Sequence, residues 1–324
     1  MSIFDKRVAF KPFEYPEIIE YKNAINHSYW LVSEWNFISD IHDFNVKLNN
    51  VQKSVLKNAM LAISQIEISV KKFWTRLGDR FPKAEFEQVG VTFGESEVRH
   101  ADAYSHLLEV LGMNNEFDQL LQNPVIQGRV DYLTKYLKGA SDNSNEKYTL
   151  TLALFSIFIE NVSLFSQFLI IKSFNKHMNC LKDIDNVVQA TQKEEAIHAL
   201  LGVYIIKQIK KEYPDWFNDD FYEKLQRACA KAYESESKIV DWIFENGELS
   251  FLAKDSVKEF VKHRFNESLE MIGAKKHFDV DMKKLINLKW FEDEIHAEVN
   301  TDFFHKKPVT YSKFTKSFTA EDLF

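Results

Sequence analysis

One motif, Glu-x-x-His, occurs twice in this sequence and marks side chains that are well suited to bind a metal ion. One copy runs from Glu97 to His100 and the other from Glu195 to His198. Both copies lie in strongly helical runs, and residues three apart on a helix lie side by side on one face. A carboxylate and an imidazole on the same face can bind one metal ion, so each copy is a candidate pair of ligands.

A single Glu-x-x-His would mean little, because this content of Glu and His yields about one by chance. Each copy, however, follows another glutamate by about the length of a helix and a turn. Glu67 lies 30 residues before Glu97, and Glu160 lies 35 residues before Glu195. Both of these lone glutamates fall on apolar helix faces, where a charge must be paired, protonated or bound to a metal.

Together these residues match a known arrangement of metal ligands. In dinuclear carboxylate sites, two helices each contribute one glutamate and two others each contribute Glu-x-x-His. Oxygen and imidazole ligands suit iron or manganese, and the thiolates typical of structural zinc sites are missing from the set. The candidate ligands are Glu67, Glu97, His100, Glu160, Glu195 and His198.

Other residues with related spacing need separate interpretation. Asp293 with His296, and Asp302 with His305, also lie three apart, but no apolar-face glutamate accompanies them. We expect these pairs to lie on a charged surface helix. Tyr104 lies four residues after His100 and projects from the same helix face. Such a tyrosine is usually a core residue, but beside a metal pair that activates oxygen it is a candidate for one-electron oxidation.

The helices that must position these side chains are long, and the fold is predicted to be all-α. Gly (9) and Pro (6) are scarce, which argues against a β fold with many turns. The candidate ligands lie in periodic runs over residues 50–80, 83–111, 146–178 and 183–211. Further helices are predicted over 16–30, 33–42, 115–138, 218–246 and 254–273.

The segment from Leu150 to Ile171 is long and apolar enough to resemble a membrane span. However, Glu160 and Asn161 lie at its centre. Inserting a carboxylate there would cost about 2.5–3.5 kcal/mol, so we expect a buried bundle helix and no membrane association.

Composition excludes other classes of protein. The net charge of −7 and the lack of a basic cluster argue against a nucleic-acid partner. Cys180 and Cys229 are the only cysteines, so no disulfide framework is expected. The first residues contain no signal-peptide hydrophobic region. A cytoplasmic location is therefore predicted.

On these residues the chain resembles the small, radical-bearing subunit of class I ribonucleotide reductase, which has a ferritin-like helical fold. The resemblance covers nearly the whole chain and rests on Glu67, residues 96–100, Tyr104, Glu160 and residues 193–198. It implies that the six candidate ligands bind two metal ions. It also implies that Tyr104 occupies the position of the stable tyrosyl radical of many family members.

The resemblance further implies a path for the radical. Trp30 matches the family's N-terminal tryptophan by its distance before Glu67, and Trp35 is the second choice. Glu194 matches an acidic residue that would link His100 to Trp30, and a ligating histidine needs such an oriented partner.

The end of the chain matches the flexible tail of the family. Residues 1–306 would form the radical-generating domain, and residues 307–324 would dock on the large subunit. Tyr311 is the only tyrosine in this tail and is the expected relay residue. The resemblance also implies a homodimer.

Two positions indicate the metals. Glu67 stands where the best-known di-iron members have Asp, which resembles the subclasses that use manganese. Tyr104 is present, whereas the manganese–iron subclass replaces it. The combination is most similar to the dimanganese subclass that superoxide activates (class Id). Two manganese ions are therefore favoured, with di-iron and manganese–iron centres as alternatives.

The expected function is the radical-initiating subunit of ribonucleoside-diphosphate reductase, active only with a large subunit. The metal centre would generate the oxidising equivalent that starts the reduction of ribonucleotides to deoxyribonucleotides in the large subunit. Two cysteines are too few for nucleotide reduction by this chain alone. The alternatives are a ferritin-like ligand-binding oxidase and an iron- or manganese-handling protein. Neither alternative requires the tail, and a metal-handling protein would not require Trp30 or Tyr104.

Overall fold

Helices account for the regular structure of the described chain, as the periodicity predicts. A computed structural model of the protein describes residues 2–70, 72–120, 122–139 and 142–304. The side chains of residues 68–70, 114, 117–118, 136–138 and 298–304 are outside this description. The predicted tail over 307–324, with Tyr311, also lies outside the described residues, so the domain boundary stays a prediction.

The helices that carry the candidate ligands form the centre of the bundle. Three of them are α3 (Asn50–Val70), α6 (Ala84–Val110) and α11 (Lys182–Glu212). The fourth is a continuous rod that consists of α9 (Asn145–Leu154), a π-helical segment (Phe155–Ser163) and α10 (Phe165–Met178). Within this group α3 packs on α6 and α10, while α11 packs on α6, α10 and the π segment.

The other helices surround this centre. They are α1 (Glu17–His27), α2 (Ile38–His42), α4 (Lys72–Thr75), α5 (Leu77–Arg80), α7 (Asn114–Leu120), α8 (Pro124–Gly139), α12 (Asp219–Ile243), α13 (Lys254–Met271) and α14 (Lys289–Phe304). Short 3-10 turns at Val32–Glu34, Pro214–Trp216 and Met282–Leu288, and a π turn at Asp43–Lys47, join some of them. Leu249 and Leu252 form an isolated bridge, and the described residues contain no strand. The all-α, ferritin-like prediction is confirmed.

The helical rod that carries Glu160 begins and ends at residues with recognisable capping conformations. The side chain of Ser144 accepts a hydrogen bond from the Lys147 backbone N–H at 3.3 Å, which caps the start of α9. Asn179 adopts a left-handed conformation with φ of 49° and ends α10. Between these residues lies the helix, Asn145–Met178, that is long and apolar enough to cross a membrane, and its apolar window is entirely buried. The prediction of a buried bundle helix is confirmed.

The predicted helix over 50–80 is interrupted. After α3 the chain forms two short turns, α4 and α5, separated by Arg76 at φ −97° and ψ 7°. The predicted helix over 115–138 is likewise two helices, α7 and α8. Where such a helix breaks depends on how it packs against α6 and other neighbours, and local periodicity does not report on that packing.

A glycine allows close packing of the π segment on α11. A Cβ at Gly202 would lie 1.9 Å from Ser156 Oγ. We expect Gly202→Ala to lower the free energy of unfolding by about 1–3 kcal/mol, because an overpacked core forces side chains and backbone apart. Urea denaturation measures this loss.

Two further variants make the comparison specific. Gly202→Ala combined with Ser156→Gly should recover part of the loss, because Ser156→Gly removes the atoms that clash. Gly128→Ala is the matched control, because a Cβ there meets nothing within 4 Å. It should be neutral or add about 1 kcal/mol through helix propensity. Equal stability of Gly202→Ala and the wild type would contradict the packing argument.

Candidate metal centre

The six predicted ligands meet at the centre of the bundle, and each of them is fully buried. They form two overlapping groups, in each of which the potential ligand atoms lie within 4.8 Å of one another. The first group is Glu67, Glu97, His100 and Glu195, and the second is Glu97, Glu160, Glu195 and His198. Glu97 and Glu195 belong to both groups, so the geometry is that of two adjacent subsites with two shared carboxylates.

Each of four helical segments contributes to this centre. Glu67 comes from α3 and Glu160 from the π segment. The two Glu-x-x-His motifs come from α6 and α11, and their i, i+3 spacing places both residues of each motif on the inner face.

The first histidine lies close to the carboxylates of its subsite. His100 Nδ1 lies 2.8 Å from Glu195 Oε1, 3.8 Å from Glu67 Oε2 and 3.9 Å from Glu97 Oε2. Its other ring nitrogen, Nε2, lies 2.8 Å from Glu194 Oε2. A partner on the outer nitrogen orients the ring, so Nδ1 is the atom presented to a metal.

The second histidine repeats this arrangement. His198 Nδ1 lies 3.1 Å from Glu97 Oε1, 3.4 Å from Glu195 Oε2 and 3.5 Å from Glu160 Oε2. Its Nε2 lies 3.0 Å from Ser96 Oγ. Ser96 therefore orients His198 as Glu194 orients His100.

The donor atoms of the centre fit a metal pair. Nine of its buried polar atoms have no hydrogen-bond partner outside the set of six ligands among the described residues. They are both carboxylate oxygens of Glu67, Glu97 and Glu195, Oε2 of Glu160, and Nδ1 of His100 and His198. Buried polar atoms without partners are rare and destabilising, and their concentration at one point fits a metal pair as their common partner. Carboxylate oxygen and imidazole nitrogen are ligands that suit iron and manganese.

Burial controls the protonation of the carboxylates. It raises the pKa of Glu67 and of Glu160 well above the usual range, and it also raises the pKa of Glu97. Glu195 differs, because hydrogen bonding with Glu160 and the charge of His198 outweigh burial and hold its pKa well below the usual range. For His100, burial lowers the pKa, but hydrogen bonds with Glu194 and Glu195 outweigh it and raise the pKa to about 10.

These pKa directions predict the pH dependence of metal binding. A group with a raised pKa binds its proton more tightly, and a metal must displace that proton. Affinity for Mn²⁺ should therefore increase with pH, by roughly tenfold per pH unit for each proton released. Titration with Mn²⁺ in weak buffer at about pH 6 and about pH 8, with a pH electrode, measures both affinity and proton release. Equal affinity at both pH values would contradict these protonation states.

Trp30 lies on the His100 side of the centre. Its ring is stacked on the His100 ring, with centroids 6.0 Å apart and an interplanar angle of 13°. The Trp35 ring lies 5.6 Å from that of Trp30. The indole N–H of Trp30 makes no hydrogen bond with any described residue.

The expected link from Glu194 to Trp30 runs through Arg99. Arg99 donates two hydrogen bonds of 3.1 Å to Glu194 and one of 3.5 Å to the Trp30 carbonyl oxygen. Its guanidinium also lies 5.4 Å from the centre of the Trp30 ring. Sequence reasoning missed Arg99, although its place inside the first motif, next to His100, was a signal.

Tyr104 is fully buried on α6. Burial, together with the nearby charges of Glu67 and Glu195, raises its pKa well above the usual range. The phenol therefore stays protonated, and its oxidation must remove a proton together with an electron.

Trp74 is a second residue that sequence reasoning missed. Its indole Nε1 donates a 3.1 Å hydrogen bond to Glu160 Oε1, which leaves Oε2 facing the centre. Trp74 lies in α4, which can approach α6 closely because residue 90 is glycine. A Cβ at Gly90 would lie 2.6 Å from the Trp74 carbonyl oxygen. No local sequence pattern predicts this contact.

The Asp293–His296 pair lies apart from the buried centre. Asp293 and His296 are exposed on α14, as expected, and the side chains of Asp302 and His305 lie outside the described residues. Nearby, His263 Nδ1 lies 3.5 Å from Glu267 and 3.9 Å from Glu292. This partly exposed group is consistent with an ordinary ion-pair cluster.

Comparisons with a family model and with curated proteins point to the same family. Residues 7–285 match the family model described as ribonucleotide reductase, small chain. A probable ribonucleoside-diphosphate reductase small subunit, 048L, of Invertebrate iridescent virus 3 is 26% identical over 328 aligned residues, which cover 97% of this chain and 86% of that protein.

Solved structures share the fold. A putative class I ribonucleotide reductase from Bacillus halodurans has a TM-score of 0.77 at 16% identity and covers 87% of this chain and 100% of its own. Dimanganese(II)-NrdF from Streptococcus sanguinis has a TM-score of 0.75 at 16% identity and covers 91% of this chain and 100% of its own. An R2-like ligand-binding oxidase is more distant, with a TM-score of 0.63 at 18% identity, covering 80% of this chain and 94% of its own.

Proposed function

Because the chain belongs to the ribonucleotide reductase small-chain family, we propose that its six buried carboxylate and imidazole side chains are the ligands of that enzyme's dinuclear metal centre. The chain is the small subunit of a ribonucleoside-diphosphate reductase. The observation that carries the ligand assignment is the pair of overlapping groups that share Glu97 and Glu195. When bound, the metal pair supplies the oxidising equivalent that starts nucleotide reduction in the large subunit.

The surrounding residues orient the ligands and exclude water. Glu194 and Ser96 fix the outer nitrogens of His100 and His198, so that both histidines present Nδ1. Trp74 binds one oxygen of Glu160 and leaves the other free for a metal. The complete burial of the ligands keeps competing reductants and water away from the oxidising centre.

Two manganese ions are the proposed occupants. The donor set contains oxygen and imidazole nitrogen only, and position 67 is a glutamate, as in the manganese-using subclasses that the sequence resembles. Iron suits the same donors, so metal identity is part of the test.

The proposed electron path begins at the surface near Trp30. A groove of about 440 Å³ is lined by Trp30, Trp35, Gln189 and Lys193, among others, and brings the ring stacked on His100 within reach of a partner. Glu194, held by Arg99, would orient the His100 end of this path. Tyr311 in the tail would relay the electron between Trp30 and the large subunit.

The tail provides a test of the partner. We expect a chain that ends at residue 306 to bind both metals normally but to lose reductase activity with the large subunit. A synthetic peptide of residues 307–324 should inhibit the full-length chain, whereas the same residues in scrambled order should not. Full activity of the truncated chain would show that the tail is not needed for docking.

We also propose that the subunit is a cytoplasmic homodimer. Val91 and Val98 are 59% and 49% exposed on one face of α6, and the turn at Val32–Glu34, which packs on α6, follows the exposed Leu31. An exposed apolar face of this kind fits a self-complementary interface.

Cys180 and Cys229 are both free and buried, which fits a reducing compartment.

The deciding experiment combines metal analysis with low-temperature EPR. The chain is loaded with Mn²⁺ or Fe²⁺, exposed to superoxide or oxygen, and assayed with its large subunit. We expect about two metal ions per chain. A manganese multiline signal without an organic radical would place the oxidising equivalent on the metals. A tyrosyl signal lost in Tyr104→Phe would place it on Tyr104, and such a signal from the iron-loaded chain alone would contradict the manganese assignment. A chain that binds no metal pair would overturn the proposed function.

A further inference from the structure

A fully buried arginine binds backbone atoms of two ligand-bearing segments but none of the six ligand side chains. Arg129, on α8, donates a 3.1 Å hydrogen bond to the Ala62 carbonyl oxygen and a 3.0 Å hydrogen bond to the Ser163 carbonyl oxygen. It also donates to Gln167 at 3.3 Å and forms an ion pair of 3.1 Å with Glu236, which is equally buried.

The two carbonyls that Arg129 binds have a particular position. Ala62 lies on α3, five residues before Glu67, and Ser163 ends the π segment, three residues after Glu160. One planar guanidinium therefore ties together the two helical segments that supply the lone glutamates. These glutamates belong to different groups of ligands, so they lie at opposite ends of the centre.

A second arginine holds the same π segment. Arg264 donates hydrogen bonds of 3.1 and 2.7 Å to the Asn161 carbonyl oxygen and one of 2.6 Å to the Asn161 side chain. π-helical turns are rare and occur frequently at functional sites. The segment that presents Glu160 is thus held by donors from two other helices.

Stability alone is a poor explanation for the Arg129–Glu236 pair. Desolvating two charges offsets most of their attraction, and apolar replacements of buried ion pairs are often neutral or stabilising. A guanidinium fork, in contrast, fixes the position of several acceptors at once. Here two of those acceptors are backbone atoms of ligand-bearing segments.

We propose that Arg129 and its counter-charge Glu236 form a buried clamp that sets the distance between Glu67 and Glu160, and hence the spacing of the two metal subsites. Both are positioning residues, since they touch no ligand atom. This inference rests on the proposed metal centre.

The test compares variants that keep or remove the clamp. Arg129→Met/Glu236→Met removes both charges and should fold. Arg129→Lys keeps a positive charge for Glu236, but an ammonium group cannot reproduce the planar fork. For both variants we expect Mn²⁺ binding at one of the two subsites to weaken by about 10–100-fold, as for other residues that orient ligands. The Mn–Mn coupling in the EPR spectrum should also change.

Lys172→Met is the matched control. Lys172 is also buried and ion-paired, but its partners are Asp185 at 3.4 Å and Glu294 at 2.7 Å. This variant should lose stability and keep wild-type Mn²⁺ affinities and coupling.

The outcomes separate the two proposals. If the wild type binds two Mn²⁺ ions and the clamp variants match it in affinity and coupling, the clamp is wrong and the proposed function stands. If Lys172→Met weakens one subsite as much as the clamp variants do, the effect is general destabilisation and the clamp is again wrong. If the wild type binds no metal pair, both proposals fail.

Discussion

Glu97→Ala should reduce bound manganese from about two ions per chain to about one or fewer and abolish reductase activity with the large subunit. Glu97 belongs to both groups of ligands, so its loss removes a donor from each subsite. It also removes the carboxylate that lies 3.1 Å from His198 Nδ1. Metal analysis after desalting and an activity assay measure the two effects.

Glu95→Ala is a closely matched control for this variant. Glu95 is the same residue type on the same helix, two residues earlier, but its side chain is 46% exposed and pairs with Arg99. It should retain about two metal ions per chain. Retention of both metals by Glu97→Ala would show that Glu97 is not shared, and its assignment to both subsites would be wrong.

Trp30→Phe should lower the activity with the large subunit by about 100-fold or more, which corresponds to about 2.7 kcal/mol or more in the activation barrier. Phenylalanine fills most of the same volume but is not readily oxidised, so only the electron path is affected. Metal content and the EPR spectrum should stay at wild-type values, because Trp30 belongs to neither group of ligands and its indole N–H makes no hydrogen bond with a described residue.

Trp35→Phe separates the two tryptophans of the path. The Trp35 ring lies next to that of Trp30, so a small loss of activity is expected from disturbed packing. If Trp35→Phe abolishes activity while Trp30→Phe does not, Trp35 is the path residue and the assignment of Trp30 fails.

Helical periodicity explains why the ligands could be predicted. The spacing of three within Glu97–His100 and Glu195–His198 fixes a common face wherever a helix forms, because that geometry is local. Glu67 and Glu160 each place a charge on an apolar helix face. A charge on such a face is costly to bury unless it has a partner, so their position alone predicts one. By the same spacing rule, Glu95 faces away from the ligand side of α6, because it lies only two residues before Glu97, and the structure shows it exposed.

The sequence by itself therefore determined the all-α class, the central helices and the six side chains that converge on one point. It did so because buried, apolar positions recur along a helix with a period of about 3.6 residues, and this period is visible in a short stretch of sequence. Tertiary structure alone decided that Glu97 and Glu195 are shared, that Trp74 binds Glu160, and that Arg129 spans the two lone-glutamate segments. The hydrogen bonds among these contacts join residues that are 34 to 86 positions apart and lie on different helical segments. Their geometry depends on how whole helices pack, which no local pattern encodes.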